Sequence, residues 1–115
     1  MGTTTHETLI NEVSRRLSAA APSAKVILFG SHARGDARPD SDLDLLVIEP
    51  ELKSRRAESV RLREALGNLG VPVDLILVPE SHVDEWGHFQ GTMLNDALSE
   101  GRVLLTPEGS DSDRA

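Results

Sequence analysis

The sequence predicts an α/β fold in which helices pack on one small sheet. Three observations carry this prediction. The apolar runs Lys25–Phe29, Leu43–Ile48 and Val71–Val78 have the length of buried strands, not of helices. Segments with a 3.6-residue apolar period lie before and between them. At 115 residues the chain has material for a single core, which strands and helices must share.

The elements follow in order. Leu9, Ile10, Val13, Leu17 and Ala20 fall on one helical face, so the first helix is read as Thr5–Ala20, closed by Pro22. Lys25–Phe29 (KVILF) is a buried strand, followed at once by Gly30-Ser31. Residues 31–41 are polar; their start suits one or two helical turns with Ser31 as N-cap, and the rest is loop. Leu43–Ile48 is a second strand, ended by Pro50. Leu52–Leu69 reads as a helix with Leu62, Ala65, Leu66 and Leu69 on one face; Arg55 and Glu58 intrude on that face, and Val60 lies off it. Gly67 and Gly70 mark its end. Val71–Val78 is a third strand, interrupted by Asp74 and stopped by Pro79. Ser81–Gly91 is a connector, Gly91–Glu100 a short helix with Met93, Leu94, Ala97 and Leu98 inward, and Arg102–Leu105 a last strand. The domain is placed at residues 1–106, and the polar stretch 107–115 is expected to be a disordered tail.

Composition narrows the function classes. Aromatic residues are 3% of the chain (Phe29, Trp86 and Phe89, with no Tyr), so the core must be aliphatic and base stacking on a single strand is not expected. Net charge is −7, which gives no long-range attraction for nucleic acid. With no Cys there is neither disulfide nor thiolate metal site. No apolar run approaches the ~18 residues of a membrane span, and Met1–Glu7 has no apolar signal core. A cytoplasmic protein without membrane or direct nucleic-acid contact is the expectation.

One constellation points to chemistry. Asp42 and Asp44 stand two apart at the start of a strand, where i and i+2 share a face at roughly 6.5–7 Å. Carboxylates so placed repel unless a cation lies between them. Oxygen ligands alone suit Mg²⁺ or Mn²⁺, not zinc. Asp74 interrupts an apolar strand, where an unpaired charge is costly, so a shared metal is a candidate for its compensation. Three carboxylates from neighbouring strands are the ligand set of two-metal phosphoryl and nucleotidyl transfer. Gly30-Ser31 sits where a strand turns into a helix, a place where backbone N–H groups meet phosphate, and Arg34 one turn on adds positive charge. Singly, each feature has an ordinary explanation: a turn, a solvated strand end, an ion pair. Their order is the specific signal. Gly109-Ser110-Asp111-Ser112-Asp113 has similar letters with no strand around it and is given no function.

With these residues in place, the chain resembles the minimal nucleotidyltransferases of the DNA polymerase β-like superfamily. The resemblance rests on Gly30-Ser31-His32-Ala33-Arg34-Gly35, on Ser41-Asp42-Leu43-Asp44-Leu45 with ten residues between Ser31 and Asp42, and on Val73-Asp74-Leu75. It covers about Leu9 to Leu105. It implies a nucleotidyltransferase fold with a small mixed sheet. It implies that Gly30 and Ser31 hold the triphosphate, that Asp42 and Asp44 bind two Mg²⁺ ions, and that Asp74 completes the metal site and helps activate the acceptor hydroxyl. The implied reaction moves AMP from ATP onto a hydroxyl and releases pyrophosphate. Members of this size are often antitoxins paired with an HEPN-domain RNase toxin, and some adenylylate a toxin Tyr. No residue departs from the motif.

Other residues carry less. His32 is expected to face solvent, His82 and His88 to lie on a surface loop, His6 to be exposed, and Trp86 and Phe89 to fill the core. The acceptor is expected on a partner protein, since the chain has no second domain for it. Two competing readings remain: an antitoxin that neutralises its partner by binding alone, and a small-molecule transferase of the aminoglycoside type.

Overall fold

The structure, a computed structural model, describes residues 3–30, 35, 42–86 and 93–107. Its elements are α1 (Thr3–Ala20), β1 (Lys25–Phe29), β2 (Leu43–Glu49), α2 (Arg55–Leu66), β3 (Val73–Pro79), α3 (Glu80–Trp86), α4 (Met93–Glu100) and β4 (Arg102–Leu105). The four strands form one sheet in the order β3-β2-β1-β4. β1 is antiparallel to both β2 and β4, whereas β2 and β3 run parallel across the α2 crossover. The sheet is therefore mixed, and the α/β class read from the sequence holds. No helix among the described residues is long and apolar enough to cross a membrane.

Strand alternation divides the core in two. Leu43, Leu45 and Val47 of β2 face α1 and α2, packing with Ile10, Val13 and Leu17 and with Leu62 and Leu66. Leu46 and Ile48 face the other way, with Ile27 and Val78, under Ala97, Val83 and Leu98 of α3 and α4. No aromatic side chain is among the fully buried ones described, as the composition demanded. On the second side the fit is close: a Cβ on Gly101 would stand 2.3 Å from Ile27 Cγ2 and 2.4 Å from Ala97 O, so only glycine lets α4 turn straight into β4 against β1.

α1 and α2 also close each other's ends. The last carbonyls of a helix have no partner within it. Arg61 Nη1 of α2 donates to Ala20 O, the end of α1, at 2.7 Å. Arg16 Nη1 of α1 donates to Leu66 O, the end of α2. Each cation also opposes the negative end of the partner helix dipole.

α2 is shorter than Leu52–Leu69. Ser54 accepts a hydrogen bond from Ala57 N at 3.2 Å and so caps the start. Gly67, at φ +66°, ends the helix before Leu69. The connector expected over Ser81–Gly91 is helical in its first part. α3 follows β3 without a break, and His82 lies half-buried on that helix, not on a surface loop. Its apolar period is too sparse to announce a helix: among the described positions only Val83 packs on the core. Val60 is 52% exposed, as its place off the apolar face implied. His32, His88, Phe89 and residues 108–115 lie outside the described residues, as do the side chains of His6, Trp86, Met93 and Leu94.

Candidate active site

Backbone register assembles the site. The β1–β2 pairing sets Phe29 opposite Asp44, and the β2–β3 pairing sets Asp44 opposite Asp74. Residues paired across neighbouring strands point to the same face. Phe29, Asp44 and Asp74 thus form one row, with Ile27, Leu46 and Ile76 in the next row. The alternation, carried back two residues, puts Asp42 on the same side, just before β2. Leu43 N donates to Pro72 O at 2.9 Å and ties the entry of β2 to that of β3, which fixes the two acidic strand starts relative to each other. The polar beginning of an otherwise apolar face, read from Asp44 and Leu46 in the sequence, is the arrangement found.

Gly30 is built against this row. Its φ is +79°, in the left-handed region where residues with a Cβ are strained. A Cβ there would lie 2.3 Å from Asp44 Oδ2. The turn after β1 therefore touches the Asp44 carboxylate, and glycine is required for both conformation and space. Ser31, Arg34 and the rest of the turn apart from Gly35 lie outside the described residues.

Asp74 corrects one part of the sequence reasoning. It is exposed, not sunk in a buried run, because β3 is an edge strand and Asp74 stands near its open start. The cost of burying a charge does not single it out. Its register does. Neighbouring strands are about 4.8 Å apart, so two carboxylates directly opposite repel and favour a cation between them. Among the described residues no three acidic or histidine side chains converge into a closed cluster. The fit to a divalent ion rests instead on the shared row, on Asp42 standing beside it, and on an all-oxygen donor set suited to Mg²⁺.

The sequence did not reveal what flanks this row. A cavity of about 720 Å³ reaches from Phe29 and Leu46 around β3 to α2, where Arg55, Arg56 and Arg63 line it, and His82 joins from α3. The available signal was the intrusion of Arg55 on the apolar side of α2. Arg56 and Arg63 gave none, since exposed arginines on a helix are common.

A family model described as nucleotidyltransferase domain matches residues 7–104. A candidate protein adenylyltransferase from Methanocaldococcus jannaschii is 33% identical over 55 residues, which are 48% of this chain and 54% of that protein. The match thus spans about half the length of the curated relative. A toxin–antitoxin crystal structure with AMP-PNP aligns with TM-score 0.62 at 19% identity, over 90% of this chain and 77% of that one. A mutant MntA–HpeT toxin–antitoxin structure gives 0.63 at 17%, with the same coverages. A candidate nucleotidyltransferase from Sulfolobus solfataricus gives 0.56 at 23%, over 72% and 78%. At these identities the structural likeness concerns the fold.

Proposed function

Since the chain belongs to the nucleotidyltransferase-domain family, matched over residues 7–104, we propose that it transfers AMP from ATP to a hydroxyl of a partner protein and thereby acts as an antitoxin. The partner in this reading is an HEPN-type RNase toxin, and the acceptor a Tyr of that toxin. The acceptor oxygen forms a bond to the α-phosphorus, the bond to the bridging oxygen breaks, pyrophosphate leaves, and the hydroxyl proton passes to a carboxylate.

The observation that carries the reading is the row that sets Asp44 opposite Asp74 with Gly30 packed on the Asp44 carboxylate. Gly30 lets backbone approach the triphosphate, and Ser31 adds a hydroxyl donor. Asp42, Asp44 and Asp74 are the residues that would hold two Mg²⁺ ions, which when bound neutralise phosphate charge and polarise the reacting oxygens. Asp74, exposed at the strand start, is the group open to an incoming acceptor and is assigned as the proton acceptor. Arg34 supplies charge beside the phosphates. A protein acceptor is supported by the name of the archaeal relative, and a toxin partner by the toxin–antitoxin neighbours.

The test is co-purification with the product of the neighbouring reading frame, followed by the intact mass of that partner with and without Mg²⁺ and ATP. The expected result is a gain of AMP on the partner that Asp74→Asn abolishes while the complex still forms. Growth rescue by Asp74→Asn, with no AMP on the partner, would establish neutralisation by binding alone.

A further inference from the structure

The cavity beside the carboxylate row follows the outer edge of β3. Leu75 and Leu77 line it from one side of the strand, and Ile76 and Val78 from the other, so it wraps the edge and does not lie on one face. Among the described residues β3 has no strand neighbour on that side. The α2 wall presents Arg55, Arg56 and Arg63, with the 52%-exposed Val60 among them. Arg55 Nε donates to Leu77 O and Arg63 Nη1 to Val73 O, both at 2.9 Å. Those acceptors are neutral, so neither charge is offset. Among the described residues Arg56 has no hydrogen-bond or ion-pair partner, and none of the three arginines meets a carboxylate. Three uncompensated cations on two turns of helix stand out in a chain of net charge −7.

We propose that this groove docks an extended acidic and apolar segment of the acceptor polypeptide, laid along the edge of β3. The inference rests on the transfer reading above and names the substrate chemistry of that site. Charge complementarity selects acidic side chains for the arginine wall. The aliphatic floor and Val60 select apolar ones, and a groove that runs along a strand suits an extended segment held by its side chains, since Arg63 and Arg55 already occupy the outward carbonyls of Val73 and Leu77. Asp74 lies on the same strand, two residues or about 7 Å from Ile76, so a hydroxyl side chain at the end of the docked segment reaches the carboxylates. A polynucleotide fits less well: it carries a charge on every residue and has no aliphatic side chain for the floor, and among the described lining residues only Phe29 and His82 have a ring for a base to stack on.

The test uses the full chain and a fluorescein-labelled random copolymer of Glu and Tyr, with a Lys and Tyr copolymer as control, read by fluorescence polarisation. The expected result is saturable, salt-sensitive binding of the Glu-Tyr copolymer alone. Arg56→Glu and Val60→Asp should each weaken it about tenfold or more, the equivalent of about 1.4 kcal/mol. Both positions are exposed, and Arg56 makes no contact that the fold needs. Binding of AMP-PNP should be unchanged in both variants, and AMP-PNP should not displace the copolymer. Equal copolymer binding by wild type and variants overturns the groove. So does displacement by AMP-PNP, which would make the cavity the nucleotide's own, or tighter binding of single-stranded poly(A) lost in the same variants. Copolymer binding that depends on Arg56 without AMP transfer to any acceptor supports the groove and refutes the transfer reading. Transfer to the natural partner at an unchanged KM in Arg56→Glu does the reverse.

Discussion

Two residues define the site most sharply, and substitution separates chemistry from folding at each. Asp44 stands opposite the like charge of Asp74, so Asp44→Asn should stay folded in the absence of metal, because the amide keeps an acceptor oxygen and relieves that repulsion. Transfer should fall by several orders of magnitude. A variant that unfolds, or one that retains full transfer, would refute the assignment. Gly30→Ala meets two penalties, a left-handed backbone at φ +79° and the Asp44 carboxylate at 2.3 Å. Gly70→Ala is the control, with φ +84° and nothing within 4 Å of the added Cβ. Each should lose about 1–2 kcal/mol for the backbone alone. Only Gly30→Ala should also abolish Mg²⁺-dependent ATP binding, by displacing the carboxylate. Calorimetric titration beside urea denaturation checks both halves. The i, i+2 relation of Asp42 and Asp44 was legible in the sequence because strand geometry is local. The contact of Gly30 with Asp44 was not, because it depends on how two strands pair.

Among the elements, the end of β2 and the middle of α2 are joined by acids. Glu49 and Glu58 lie together beside Arg61, and Glu49 Oε2 is buried with no hydrogen-bond partner. Burial, then the neighbouring Glu58 carboxylate, pushes Glu49 up to about 7. Hydrogen bonds from Arg61, then from Glu49, hold Glu58 down at about 2. The signs are opposite. Stability from protonated Glu49 is complete below the ordinary carboxylate range and is lost as pH rises through about 7. Stability from ionised Glu58 is complete above that range and is lost as pH falls through about 2. Glu49→Gln keeps a donor toward Glu58 and cannot ionise. It should match the wild type at about pH 5, exceed it at about pH 8, and flatten the decline between. Urea unfolding at the two pH values measures this, and an identical decline in the variant would remove the pair from the account. α2 itself was legible in outline. Its true limits came from Ser54 and Gly67, whose capping roles compete with equally plausible neighbours in the bare sequence.

At the scale of the whole molecule, the described residues cover the two sides of the sheet unequally. The α1–α2 side buries a continuous set from Ile10 to Leu77, while the α3–α4 side has only Ile27, Leu46, Ile48, Val78 and Ala97 fully buried among the described residues. Less buried apolar area means a lower free energy of local opening. Hydrogen exchange of the native protein should therefore show α4 amides exchanging at least about tenfold faster than those of β1 and β2. Equal protection would show one cooperative unit instead. Mg²⁺ with ATP should slow exchange at Asp44 and around Gly30 more than in α1, by linkage between binding and opening.

The chain by itself determined which residues are strand and which are helix wherever the apolar period was strong. β1 and β4 end where Pro, Gly and the apolar runs predict, at Lys25–Phe29 and Arg102–Leu105. It also determined the family, whose model matches residues 7–104. Tertiary structure alone decided that Asp44 and Asp74 stand in one row, because the register of a parallel pair is set across a crossover and leaves no local mark. It decided likewise that Asp74 is exposed and that the arginines of α2 lie along its strand. Both follow from β3 being the edge of the sheet, and strand order is fixed by which faces the helices can bury, not by any single residue.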